Sequence, residues 1–87
     1  MNYGKMVLYT QANQKGFNMS ENCLNIIDEL IEQRHNKGMT QKELAAATSL
    51  TQSVIARFES KKVTPQLDTL IKVADALGCE LKIVPAK

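Results

Sequence analysis

Polar side chains suited to reading a nucleic acid lie one helical turn apart within residues 52–60. Gln52, Ser53 and Arg57 share the face that the apolar residues of this segment leave free. An amide or a guanidinium can form two parallel hydrogen bonds with a base edge, and a short helix fits the major groove of B-DNA. The pattern therefore predicts a helix that contacts the base edges of double-stranded DNA.

The sequence offers little for catalysis or metal binding. His35 is the only histidine and lies beside Arg34 without a nucleophile to activate, so a catalytic base is not expected. Cys23 and Cys79 show neither CxxC spacing nor a nearby histidine. We interpret them as buried, reduced thiols rather than a disulfide or a metal pair, because zinc takes about four ligands and cytosolic thiols stay reduced. We predict no enzymatic activity and no cofactor.

Two short capped helices must position the polar face. The capping box from Thr40 to Glu43 starts helix 2, which is predicted from residue 41 to about residue 47. After a turn, Thr51 caps helix 3, predicted over about residues 52–60. Helices this short are not stable alone, so they must pack on each other and on flanking helices.

A longer helix is predicted on each side of this pair. Ser20 caps helix 1, over about residues 21–37, and Gly38 ends it. Thr64 and Pro65 match the cap and first position of helix 4. The buried stripe expected for helix 4 consists of Leu67, Leu70, Ile71, Ala74 and Leu77, and Gly78 follows it.

The segment from Cys79 to Val84 alternates apolar and charged residues, which predicts a β-strand. A lone strand is unstable in water. Two partners are open: the apolar run from Met6 to Tyr9, or the same strand of a second copy. Residues 1–19 are otherwise rich in Asn, Gln and Gly, and we expect a flexible arm there with a possible short strand.

Charge is unevenly distributed although the net charge is only +2. Residues 20–32 contain four acidic and no basic residues, whereas residues 33–62 contain six basic and two acidic residues. A basic patch on the two-helix segment would attract phosphates, and the acidic first helix should face away from DNA. An ordinary solvated surface is the alternative. No apolar stretch approaches the length of a membrane span and no secretion signal is evident, so we expect a cytoplasmic protein.

Residues 21–78 resemble the lambda-repressor/Cro-like helix-turn-helix family, also called the XRE family. The residues that carry the resemblance are Arg34, Gly38 to Gln41, Glu43 to Ala45, Leu50 to Ser53, Ile55, Arg57 to Glu59, Pro65, Leu67, Leu70 and Ala76 to Gly78. The resemblance implies an all-α, lambda-repressor-like domain of four to five helices with a helix-turn-helix, plus a short C-terminal β-strand. The expected organisation is an arm at 1–19, a DNA-binding domain at 20–78 and a strand and tail at 79–87 that serves dimerisation, as in small antitoxins of this family.

The family also implies roles for particular residues. Gln41 would bind a phosphate at the start of helix 2, and Arg34 and Glu59 would form a structural ion pair. The implied DNA-binding set is Gln41, Thr51, Gln52, Ser53, Ala56, Arg57, Ser60, Lys61 and Lys62. The sequence departs from the family where Ser49 and Lys61 stand at positions that often hold glycine.

Two functional hypotheses follow. The first is a sequence-specific DNA-binding regulator, a repressor that acts as a symmetric homodimer on a double-stranded operator. The second is an antitoxin that neutralises a partner toxin and regulates its own operon, with residues 1–19 or the acidic face of helix 1 holding the toxin. A purely protein-binding role without DNA is weaker. We expect no small-molecule ligand and no membrane association.

Overall fold

The computed structural model describes residues 19–86 and the backbone of residues 5–9. The elements in chain order are β1 (Lys5–Tyr9), α1 (Glu21–Asn36), α2 (Gln41–Thr48), α3 (Gln52–Ser60), α4 (Leu67–Ala76) and β2 (Glu80–Val84). The predicted mostly helical domain with a helix-turn-helix and a C-terminal strand is confirmed. The expected flexible arm falls largely on residues 1–4 and 10–18, which lie outside the described residues.

Side-chain caps set the starts of the first three helices, as predicted. The Ser20 hydroxyl accepts a hydrogen bond from the Cys23 N–H at 3.1 Å, and the Thr51 hydroxyl accepts one from the Val54 N–H at 3.2 Å. Thr40 and Glu43 form the complete capping box, with bonds of 3.0 and 2.8 Å. These bonds satisfy N–H groups that the first turn of a helix leaves without partners.

The hydrophobic core lies where the four helices meet. α2 contacts both α3 and α4, and α1 contacts α3. The largest fully buried side chains are Ile27, Leu30, Leu44, Ile55, Val73 and Leu77. Because each helix contributes at least one of them, no helix can leave the core without exposing apolar surface.

The predicted start of α4 is wrong, and its predicted buried face is wrong at two of five positions. The helix begins at Leu67, and its cap residue Gln66 makes no side-chain cap bond, so Thr64 and Pro65 belong to the preceding loop. Leu67 and Ile71 are 67% and 41% exposed. Leu70, Ala74 and Leu77 are buried as predicted, and Val73, which was not predicted, is buried with them. Ile71 and Val73 both fit helical spacing, so periodicity alone does not decide which of them is buried.

β2 pairs with β1 of the same chain in a two-stranded parallel sheet. The register aligns Lys5 with Glu80 and Tyr9 with Val84. Of the two partners that the sequence left open, the intramolecular one is therefore present. Cys79 is buried just before β2, but Ile83 within it is 81% exposed.

In residues 19–86, no helix combines the length with the apolar character that crossing a bilayer requires.

Candidate nucleic-acid interface

α3 presents the predicted polar face to solvent. Its apolar side is fixed in the core by Ile55 and Phe58, which are 0% and 4% exposed. The opposite side consists of exposed residues at helical spacing: Thr51, Gln52, Ser53, Ala56, Arg57 and Ser60. The helix is therefore packed into the core on one side while its polar groups stay accessible on the other.

A tight turn sets α3 against α2. Ser49 adopts a left-handed conformation with φ 61°, and the Leu50 N–H donates to the Ala45 carbonyl at 3.0 Å. Helices commonly end with one residue in this left-handed conformation, and glycine is favoured at that position. The buried Thr48 hydroxyl donates to the Leu44 carbonyl at 2.9 Å, which closes the last turn of α2.

A buried ion pair joins α3 to α1. Arg34 donates from Nε to Glu59 Oε2 at 2.7 Å and from Nη2 to Glu59 Oε1 at 2.9 Å. Its Nη1 also donates to the Met39 carbonyl at 2.7 Å. The two side chains are only 9% and 8% exposed. Such a bidentate pair has a specific geometry as well as a favourable energy, so it fixes the C-terminal half of α3 relative to α1.

Gln41 belongs to the same hydrogen-bond network. It is the first residue of α2 and is half-buried, and its Nε2 donates to Glu59 Oε1 at 3.0 Å. Because a carboxylate only accepts, this contact fixes which end of the amide faces Glu59. The start of α2 and the end of α3 are therefore held by one carboxylate.

The last residue of α3 and the two residues after it differ in their surroundings. The Ser60 hydroxyl donates to the Arg57 carbonyl at 2.7 Å and accepts from the Lys62 N–H at 3.2 Å, so it is engaged in ending the helix. Lys61 has φ 62° and its Nζ lies 2.5 Å from Asp28 Oδ1 on α1. Lys62 is exposed. The sequence indicated the charges but not the contact between Lys61 and Asp28.

A groove of about 470 Å³ runs beside α3 and was not expected from the sequence. Its walls come from α3, from the turn before it, from the loop that leads into α4 and from the first turn of α4. The lining residues are Leu50, Val54, Arg57, Phe58, Val63, Thr64, Pro65, Gln66 and Thr69. Gln66 and Thr69 thus lie beside the predicted face of α3. No local sequence pattern indicated this position, because it depends on where α4 begins.

Neither cysteine has the environment of a reactive thiol. Burial raises the pKa of the Cys23 thiol. Burial also raises the pKa of the Cys79 thiol, while the nearby charges have smaller effects: Lys37 lowers this pKa and Glu29 raises it. Both thiols are free. Over the described part of the chain, no three His, Cys, Asp or Glu side chains come together as a metal site would require.

Comparisons with known proteins agree with this geometry. A helix-turn-helix family model matches residues 30–84. An uncharacterised HTH-type transcriptional regulator of Haemophilus influenzae is 42% identical over 62 residues, which cover 71% of this chain and 63% of the relative. The HTH-type regulator y4dL of Sinorhizobium fredii is 39% identical over 62 residues, or 71% of this chain and 32% of the relative. The chain thus spans less than two thirds of these relatives.

A solved structure provides a further match. A chain of a toxin–antitoxin module from Streptococcus pneumoniae superimposes with a TM-score of 0.64 and 47% identity, covering 74% of this chain and 70% of that chain.

Proposed function

This chain belongs to the helix-turn-helix family of DNA-binding transcriptional regulators, and from that premise we propose that it is a repressor whose α3 enters the major groove. The observation that carries the proposal is the exposed polar face of α3, opposite a side that is buried and fixed by the Arg34–Glu59 pair. A recognition helix must be both accessible and rigid, because base contacts depend on hydrogen-bond geometry.

Base readout is assigned to four residues between Gln52 and Arg57 of α3. Gln52 has the amide pair that matches adenine, and Arg57 has the fork that matches guanine or a phosphate. Ser53 can bond to any base, and the short Ala56 side chain can touch only a thymine methyl. All four are exposed and lie within two turns of one helix.

Phosphate contacts are assigned around this face. Gln41 lies at the N-terminus of α2, where the helix dipole and free N–H groups favour an anion. Thr51 lies at the start of α3, and Ser60, Lys61 and Lys62 lie at its end. These groups would set the position of α3 on the duplex and would carry no sequence information themselves.

The test begins with selection of bound sequences from a random duplex pool, followed by competition binding with the selected site. Gln52→Ala and Arg57→Ala are each expected to weaken specific binding by about five- to 150-fold, equivalent to about 1–3 kcal/mol, and to relax preference at one position. Their thermal transitions should stay close to that of the original chain, because both side chains are exposed. Lys82→Ala on β2 is the control for loss of an exposed cation. Unchanged sequence preference in both α3 variants would contradict the assigned face.

We propose that the repressor acts as a symmetric homodimer that covers a promoter. Two α3 helices would then lie in successive major grooves, roughly 34–36 Å apart. An exposed apolar side chain on β2, Ile83 at 81%, supports a subunit contact through this strand. Ile83→Lys should lower the solution molar mass towards that of one chain without unfolding it, whereas Lys82→Ala should not. A monomeric original chain at micromolar concentration would refute this assembly.

An antitoxin function is the second candidate, and the similarity to a chain of a toxin–antitoxin module favours it. In this chain, the exposed acidic residues of α1 would be the contact for a basic toxin: Glu21, Asp28, Glu29 and Glu32. The test is expression of the adjacent small gene with and without this chain. Growth arrest by the neighbour that this chain relieves would support the function. Absence of any growth-inhibiting neighbour would count against it.

A role in protein binding alone makes a different prediction. If the chain binds only proteins, it should show no salt-dependent affinity for duplex DNA. If it contacts phosphates, its affinity for duplex DNA should fall steeply as the salt concentration rises. A titration at several salt concentrations separates the two.

A further inference from the structure

The C-terminal end of α3 is held to α1 by two ion pairs of different character. The Arg34–Glu59 pair is buried, with side chains 9% and 8% exposed. The Lys61–Asp28 pair is open to solvent, with side chains 37% and 54% exposed. The buried pair fixes the helix. The open pair is accessible to solvent ions and can exchange its partners, so it does not hold the helix in the same way.

Lys61 has the chemistry to exchange one anionic oxygen for another. Its ammonium is a point charge on a flexible four-carbon stem with three donors, so it does not require a particular partner geometry. In this structure it contacts the Asp28 carboxylate, which is 33 residues away in sequence and belongs to the acidic helix. A phosphate oxygen beside the end of α3 offers the same type of acceptor. Both interactions cannot be made at full strength by one ammonium.

We infer that Asp28 limits the affinity of this protein for DNA by competing with a backbone phosphate for Lys61. In the free protein Lys61 binds Asp28, and in the complex it leaves Asp28 and binds the phosphate. This inference rests on the proposed function, because it requires that the end of α3 lies beside a DNA backbone. It attributes an effect on DNA binding to an acidic residue of α1, which lies outside the helix-turn-helix formed by α2 and α3.

The size of the effect follows from the exposure of the pair. Exposed ion pairs contribute up to about 1 kcal/mol, so Asp28→Asn should tighten DNA binding by about two- to fivefold. The slope of log affinity against log salt should stay the same, because the same phosphates are contacted in both complexes. Lys61→Ala, which removes one phosphate contact, should make that slope shallower by about 0.9.

The experiment is a fluorescence anisotropy titration of a duplex of about 20 base pairs, two helical turns, at several salt concentrations. The proteins are the original chain, Asp28→Asn, Lys61→Ala and the double variant. Glu32→Gln is the matched control, since it removes a neighbouring exposed carboxylate from the same helix. It reports the general effect of a less acidic α1 on a polyanion. Denaturant unfolding of each variant confirms that the domain is intact.

The inference predicts that Asp28→Asn tightens binding more than Glu32→Gln does, and that this excess disappears when Lys61 is alanine. An equal effect of the two substitutions, or an excess that persists with Lys61→Ala, would overturn it. So would a steeper salt slope in Asp28→Asn, because that would mean that Lys61 stays with Asp28 in the original complex. If the original chain shows no salt-dependent binding to any duplex, the proposed function fails first, and the two failures are thus distinguishable.

Discussion

Replacing Glu59 by alanine removes the acceptor for the hydrogen bonds that Arg34 and Gln41 donate at 2.7, 2.9 and 3.0 Å. The Arg34 side chain, 9% exposed, would keep its contact with the Met39 carbonyl but lose its counter-charge. Removing one partner of a buried pair costs about 3–5 kcal/mol, because the remaining charge stays desolvated. A domain of 87 residues has a total stability of roughly 4–13 kcal/mol. Glu59→Ala should therefore lose a large part of this stability.

The assay is urea unfolding followed by far-UV circular dichroism, with Lys72→Ala as the matched control. Lys72 and Asp68 form an ion pair at 3.3 Å, but their side chains are 48% and 75% exposed. Its loss should cost no more than about 0.5 kcal/mol. A variant in which Arg34 and Glu59 are both methionine should recover much of the loss, because no unpaired charge is left in the interior.

The result that would refute this reasoning is a loss of about 1 kcal/mol or less for Glu59→Ala, similar to that of Lys72→Ala. That outcome would mean that the Arg34 guanidinium finds water or another partner when Glu59 is absent. The buried pair would then not be what fixes α3, and the rigidity proposed for this helix would need another source.

The remaining predictions concern the turns, the caps and the thiols. Ser49→Gly should stabilise the domain by about 0.5–1 kcal/mol in urea unfolding, because φ is 61° there and left-handed backbone disfavours a side chain; Ser49→Ala is the control, and equal stability of the two would contradict the argument. Thr51→Ala should cost about 1 kcal/mol through loss of the cap bond to Val54, and Thr51→Ser should retain most of it. Burial raises the pKa of both thiols, so iodoacetamide should label them slowly at neutral pH, and Cys79, 5% exposed, more slowly than Cys23; faster labelling of Cys79 would contradict its burial. The folded chain keeps these thiols protonated to a higher pH than the unfolded chain does. Their contribution to the free energy of unfolding is therefore complete below the ordinary thiol pKa of about 8.5 and decreases as the pH rises above it. Cys79→Ala should make that alkaline decrease smaller.

Local signals predict the parts of the fold that local bonds determine. The starts of α2 and α3 can be read from the sequence because Thr40 and Thr51 bond to N–H groups only three residues away. The start of α4 cannot, because Thr64 and Pro65 suit a loop as well as a helix start. Val73, and not Ile71, is buried, and this depends on how α4 packs against its neighbours α2 and β2.

The candidate site divides in the same way. Exposure of Gln52 and Arg57 follows from the spacing of the apolar residues between them, which is a local property. The contacts of Glu59 with Gln41 and of Lys61 with Asp28 join residues 18 and 33 positions apart. No periodicity in the sequence encodes such contacts, and they depend on how α1, α2 and α3 are arranged.

The parallel pairing of β1 with β2 has a consequence for the order of folding. All four helices lie in the connection between the two strands, so the sheet closes a loop of about 70 residues, from Tyr9 to Glu80. Closing so long a loop in an unstructured chain costs on the order of 4 kcal/mol in entropy, whereas the helices need only short-range contacts. Strand pairing should therefore follow helix assembly, and amide protons of β2 should gain protection from hydrogen exchange after those of α1 and α3 during refolding.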